Sequence, residues 1–529
     1  MEATNLTYLT LSISILTSFI LYLLLLRPPT KSRNHCPFPN PLLGNLVPFL
    51  RNRHRFLDWA SDLLSTSPTA TIEVRGPLGL SRGVGTANPL VVDHLLRFNF
   101  SNYVKGDRTS TALSDLLGNG IFNADGHLWA LQRKTASREF TTRSLKSFIT
   151  DVVRSQLRNR LLPLLSAAAD TGELLDLQDV LRRFSFDNLC TIAFGTDPFS
   201  LHHDNSQHQS HGQHYSFFQA FDEAVEISSA RLLSPVPWVW KAKKFFNIGS
   251  ERRLRGAIKL IDDYAMHITA LKEEEEVKKQ DLLSRFMSAI EEEDSELCAM
   301  FKDKKEKRKF LRDTVISFVL AGKDSTSSGL TWFFWLLAVN PRCEKRVHQE
   351  ISQLVEGEEE DELGYDELKG MHYLHAAITE ALRLYPPVPI DSRVAAADDV
   401  LPDGTRVKAG WFADYSAYAM ARNERVWGKD CCEFVPERWL DGKGEFVGVE
   451  TASFPVFHAG PRTCLGREMA YMQMKAVAAA VLRRFEVEVL VGSGGGEVAP
   501  PPYEMSLTLR MKGAFTVRVR RRVETSSAR

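Results

Sequence analysis

The sequence shows no excess of either charge, no paired spacing of cysteines, no internal repeat and no dinucleotide-binding glycine motif, and each absence removes a class of function. Sixty-six Lys and Arg residues balance sixty-six Asp and Glu residues over 529 positions, so nothing marks nucleic acid as a partner. The seven cysteines are odd in number and scattered, which argues against a disulfide framework and for a reducing compartment. No Pro/Gly/Ser stretch is long enough to separate a pair of domains, and no repeat divides the chain. A G-x-G-x-x-G fingerprint and a flavin-binding segment are both missing, so the chain has no site of its own for a redox dinucleotide. What remains is 44% hydrophobic and 25% charged, enough to bury a large core.

The first informative segment is uncharged, from Tyr8 to Leu26, and is long enough to cross a bilayer as one helix. A cleaved signal peptide is the rival reading. It needs a basic start, where only Glu2 is charged, and a small-residue cleavage site, where Arg27, Pro28 and Pro29 stand. A retained anchor is therefore favoured. Arg27, Lys31, Arg33, Arg51, Arg53 and Arg55 follow it, which puts the rest of the chain in the cytosol. Residues 1–33 form the anchor and its basic flank, and 34–529 a single catalytic domain. Cys36 to Leu46 is expected to be a stiff, extended neck, because its prolines fix φ. Short β-type runs between Ala70 and Val92 predict a small sheet beside it.

The chain is organised around Phe454 to Met469, FPVFHAGPRTCLGREM. A thiolate that ligates a metal needs N–H donors aimed at its sulfur, a cation nearby and cover from bulk water. Around Cys464, Gly460 and Gly466 allow close backbone approach, Arg462 is a fixed cation, Phe457 offers cover, and a helix pattern begins at Gly466. Upstream, a helix predicted from about Gly126 puts Trp129 and Arg133 on one face, where an indole N–H and a guanidinium suit a carboxylate. The most apolar interior helix, Leu311 to Asn340, is interrupted at Ala321 to Ser328 by small and polar residues. Hydroxyls that bond back to the preceding turn would open a groove there for a ligand or water. Glu380 and Arg383 share a helix face ahead of a proline stop, and Arg438 follows in FVPERW. The histidines of His202 to His214 lack the spacing of a metal site, and the charged runs Glu273–Glu276, Glu291–Glu296, Lys302–Lys309 and Glu356–Glu362 are read as solvated connections or helix ends.

Phe-x-x-Gly-x-Arg-x-Cys-x-Gly resembles the haem-thiolate signature of the cytochromes P450. The resemblance extends, in order, through Trp129, Asp324, Glu380, Arg438 and Cys464, and so covers the chain after the anchor. It implies a mainly α fold with small β-sheets, preceded by one transmembrane helix. It implies b-type haem with Cys464 as the axial iron ligand, and Trp129 and Arg133 on a haem propionate. It implies Asp324 and Ser325 as the acid and hydroxyl of the oxygen-binding groove, with Thr326 as a partial substitute, and Glu380, Arg383 and Arg438 locked behind the haem. Serine at 325 departs from the commoner threonine and loses the methyl that stiffens χ1.

Phe100 to Gly126, Phe245 to Ile258 and LRLYPPVPIDSR narrow the likeness to the plant branch of fatty-acid ω-hydroxylases, which also contains hydroxylases of jasmonoyl-isoleucine. That branch implies the endoplasmic-reticulum membrane, molecular oxygen, and a separate NADPH-cytochrome P450 reductase. Besides such a monooxygenase, a haem-thiolate hydroperoxide isomerase or dehydratase and a membrane-bound haem sensor stay open. Asp324 and Ser325 favour the monooxygenase, since a rearrangement needs no proton relay.

Overall fold

The computed structural model describes residues 34–38, 40, 42–201, 209–274, 281–354, 364–490 and 499–522 together with Ser14, Thr17 and Ser18, and gives the backbone alone for 209–216. The expected span Tyr8 to Leu26 lies outside the described residues except at those three positions. Among the described residues no helix is long and apolar enough to cross a membrane. His202–His214 and the acidic run Glu356–Glu362 likewise fall outside the residues whose side chains are described.

Eight helices position the site: α1 (Gly106–Leu117), α2 (Gly126–Ser137), α3 (Leu177–Phe194), α4 (Gln209–Leu232), α5 (Ser250–Glu274), α6 (Lys304–Ala338), α7 (His372–Leu384) and α8 (Arg467–Arg484). The strands are β1 (Thr71–Arg75), β2 (Arg82–Thr86), β3 (Tyr103–Val104), β4 (Leu174–Asp176), β5 (Ile390–Ala395), β6 (Asp399–Val400), β7 (Arg406–Val407), β8 (Phe412–Ser416), β9 (Phe485–Val489), β10 (Tyr503–Met505), β11 (Leu509–Met511) and β12 (Thr516–Arg521). They form a five-stranded sheet in the order β1-β2-β8-β5-β3, a three-stranded sheet β4-β12-β9, and the pairs β10-β11 and β6-β7. The fold is mainly helical with small sheets, as the sequence predicts.

The runs predicted near the neck are the antiparallel pair β1 and β2, in register from Thr71 opposite Thr86. The neck itself departs from an extended path. Asn40 accepts from the N–H groups of Leu42 and Leu43, the chain turns, and a helix begins at Leu46. A side-chain amide that satisfies two backbone donors makes the turn more favourable than extension. Gly44, at φ +49°, completes it where a Cβ would overlap the Arg75 carbonyl.

Helix α6 starts two turns earlier than its apolar pattern, inside the basic run Lys302–Lys309. Asp303 accepts from the N–H of Glu306 at 2.8 Å, and Glu306 accepts from the N–H of Lys302 at 2.8 Å. This reciprocal cap satisfies two orphan donors and extends the helix beyond its buried part. From Phe310 to Leu337 nearly every residue of α6 is buried against α3, α5, α7 and α8. Trp332 stacks on Tyr385 with ring centroids 3.9 Å apart, fastening α6 to the end of α7. Side chains of this size contribute about 1.5–3 kcal/mol each when fully buried, so α6 is a rigid rail for whatever its surface presents.

Candidate functional site

Two short turns, Pro455–Phe457 and Gly460–Arg462, shape the cysteine loop. The N–H of Cys464 donates to the Phe457 carbonyl at 2.8 Å and closes it. Gly460 has φ +65°, and a Cβ there would overlap the Leu96 carbonyl, so the position takes only glycine. Phe457 packs on Tyr471 of α8 at 5.1 Å between centroids. Cys464 is exposed, yet enough protein surrounds it that burial raises its thiol pKa. The N–H of Gly466 and the cations Arg133 and Arg467 act in the opposite direction, toward thiolate. A metal cation bound there would complete that shift, because a coordinating metal deprotonates a thiol outright.

The structure directs Arg462 away from the role its spacing suggests. Its Nη2 donates to Asp125 at 2.7 Å and to the Ala124 carbonyl at 2.9 Å, and its guanidinium lies 4.4 Å from the centre of the Trp129 ring. Burial, with Arg393 nearby, lowers its pKa to about 10. Arg133, one turn on from Trp129, donates to the Thr463 carbonyl at 2.7 Å. Asp125, at the N-terminus of α2, leaves its own helix uncapped and accepts instead from the N–H groups of Lys105 and Gly106.

Beside this pair lies a cluster with no signature in the sequence. Asp391 and Arg393 come from β5, Lys105 from the residue before α1, and His458 from the cysteine loop. Asp391 accepts from Lys105 at 2.9 Å and from Arg393 at 2.6 Å, and His458 lies 3.6 Å away. Burial alone would raise the Asp391 pKa, but Arg393, Lys105 and His458 hold it well below the usual range. Two full cations thus share one carboxylate. The Nε and Nη2 of the fully buried Arg393 have no hydrogen-bond partner among the described residues. Unpaired buried guanidinium donors are costly unless an anion meets them. The cluster therefore fits the acid groups of an anionic ligand, and with Cys464 the donor set fits a haem and its propionates. The clue in the sequence was a charged pair inside the strand IDSRVA, where packing prefers apolar residues.

In the middle of α6, Ala321, Gly322 and Ser325 are the partly exposed positions in a segment otherwise buried from Phe310 to Leu337. They share one helix face, so the interruption in the apolar pattern opens a groove. Ser325 Oγ donates back to the Ala321 carbonyl at 2.5 Å. Thr326, one turn after Gly322, is buried. Asp324 is also buried, within an ionic cluster. It accepts from Lys323 at 2.8 Å and from Arg510 of β11 at 3.0 Å, with Arg182 of α3 at 3.5 Å. Asp222 of α4 pairs with the same three cations. Burial alone would raise the Asp324 pKa, yet Lys323, Arg510 and Arg182 hold it far below the usual range.

Glu380 and Arg383, a spacing that on a surface is worth little, are fully buried. Glu380 accepts from Arg383 at 2.7 and 2.8 Å, from Arg438 at 2.9 Å, from Trp439 at 2.8 Å and from the N–H of Val435 at 3.0 Å.

The chain matches the family model for cytochrome P450 over residues 35–513. It is 44% identical over 497 residues to cytochrome P450 94A1 of Vicia sativa, covering 92% of this chain and 90% of that one. It is 44% identical over 512 residues to cytochrome P450 94A2 of Vicia sativa, covering 94% of each. Cytochrome P450 94B1 of Arabidopsis thaliana is 42% identical over 503 residues, 93% of this chain and 92% of that one. With matches spanning almost its whole length, and a thiol, a groove and a cationic cluster disposed as described, the chain belongs to the cytochrome P450 family of haem-thiolate monooxygenases.

Proposed function

We propose that this protein hydroxylates the terminal or near-terminal carbon of fatty acids, using molecular oxygen and NADPH electrons passed on by a separate cytochrome P450 reductase. Residues 1–33 anchor it in the endoplasmic-reticulum membrane and 34–529 form the cytosolic catalytic domain. Cys464 would ligate the iron of a b-type haem, which would supply the oxygen-activating chemistry. Arg393, Lys105 and His458, with Trp129, Arg133 and Arg462, would hold its acid groups. Gly460 and Phe457 shape and cover the thiolate loop. Ser325 holds a proton at the groove face, and Asp324 keeps the charge balance of the helix behind it. Thr326, buried, acts through packing.

The observation that carries this reading is the pairing of an accessible, N–H-supported thiol with a hydroxyl-lined break in an otherwise buried helix. A cavity of about 790 Å³ lies between the β1-β2-β8 edge and residues 232–241; neither Cys464 nor Ser325 lines it, so in this reading it receives the distal part of the acyl substrate. Phe49, Phe56, Trp59, Trp240, Trp411 and Phe412 line it beside Arg75, Arg82, Arg108 and Asp414, so apolar surface for an alkyl chain adjoins charged groups. Reconstitution with reductase and a panel of acyl substrates, the hormone conjugate included, tests it by NADPH consumption and product mass spectrometry. Hydroxylation at or next to the chain end is expected. Rearrangement of a fatty-acid hydroperoxide without NADPH would overturn it in favour of an isomerase, and turnover of the conjugate alone would move the substrate to the hormone.

A further inference from the structure

The turn from Gly428 to Glu433 carries two adjacent cysteines that the haem site does not use. The Sγ atoms of Cys431 and Cys432 are 3.9 Å apart. Cys432 is exposed, whereas Cys431 is 3% exposed and points its thiol at the Arg422 carbonyl at 3.5 Å. The backbone of the same turn is held by the arginines of the Glu380 lock. Arg383 donates to the carbonyls of Cys431 at 2.7 Å and Glu433 at 3.1 Å, and Arg438 donates to the carbonyl of Asp430 at 3.2 Å.

We propose that Cys431 and Cys432 are a dithiol that hydrogen peroxide closes to a disulfide between neighbouring residues, and that closure withdraws the Cys431 carbonyl from Arg383 and loosens the lock. Exposed Cys432 reacts first: its thiolate attacks peroxide, the O–O bond breaks, and a sulfenic acid and hydroxide form. The Cys431 sulfur then displaces the sulfenic oxygen as water, giving the disulfide. Two thiols lose two electrons and two protons, and one peroxide becomes two waters. Cys431 suits the second role, since burial first and Cys432 second push its thiol up to about 11. Consecutive Cα atoms lie about 3.8 Å apart, below the roughly 4.4–6.8 Å usual across a disulfide. Ring closure must therefore turn the peptide between them, whose carbonyl is the one Arg383 holds. A disulfide strained in this way is readily reduced, so the change reverses in a reducing compartment.

The test treats the full-length protein in membranes with graded hydrogen peroxide, then alkylates free thiols and examines the tryptic peptide Asp430–Arg438. That peptide is expected to lose two hydrogens, to resist alkylation and to recover both thiols after dithiothreitol. The melting temperature is expected to fall as the disulfide forms and to return on reduction. Cys432→Ser should keep the resting stability and show no reversible fall. Free alkylation of both cysteines after peroxide would overturn the proposal, as would a disulfide that forms with no reversible change in melting temperature.

Discussion

Ser325 and Asp324 are consecutive, yet one helical step of about 100° separates a groove-facing hydroxyl from a buried carboxylate. Ser325→Ala removes the hydroxyl without touching the ionic cluster. It is expected to leave haem and substrate binding intact and to raise hydrogen peroxide released per NADPH consumed. Unchanged coupling would transfer the role to ordered water. Asp324 acts through charge. Its folded pKa lies below the unfolded value, so its contribution to stability is fully present above about pH 4 and is lost as pH falls toward the folded pKa. Asp324→Asn leaves Lys323, Arg182 and Arg510 facing Asp222 alone, at a cost of about 3–5 kcal/mol. Denaturation at neutral pH and near pH 3 checks this: the gap between wild type and variant should narrow on the acid side. A variant as stable as wild type at neutral pH would show that the cluster does not need the acid.

Helix α7 shows how an element makes a motif costly to break. Its last two turns carry Glu380 and Arg383 into the core, and the proline stop sets where the helix ends, so both side chains reach the segment around Arg438. Arg383→Lys keeps the charge but loses the planar fork that meets both Glu380 oxygens and the carbonyls of Ala421, Cys431 and Glu433. Breaking a buried pair of this kind costs about 3–5 kcal/mol. A lower melting temperature and poorer haem retention on gel filtration are expected. Wild-type retention would mean that Arg438 alone secures Glu380.

Over the whole molecule, the core clusters of the described residues begin at Leu57. Among the described residues, core packing, the cysteine loop and the cationic cluster all lie beyond Asn34. Deleting residues 1–33 should therefore free the protein from carbonate-washed membranes while haem content per chain stays the same. Phe245 and Phe246, 83% and 68% exposed beside Lys243 and Lys244, can retain a salt-sensitive fraction on anionic lipid. A truncated chain that binds no haem would put the domain boundary elsewhere.

Local signals made much of this protein legible in its sequence. Apolar periodicity marked α6, Gly126 marked the start of α2, and the β1-β2 pair stood out between Gly and Pro breaks, because each rests on interactions within a few residues. The spacing around Cys464 was legible for the same reason: loop, ligand and helix start are contiguous. The direction of the charged side chains was decided only by the tertiary structure. Asp391 meets Lys105 across 286 positions, Asp324 meets Arg510 across 186, and Arg462 turns from the sulfur toward Asp125 across 337. A buried charge takes whichever opposite charge the packed elements bring within reach, since leaving it unpaired costs more than any local preference can offset. That choice depends on distances in space, which the order of residues along the chain does not record.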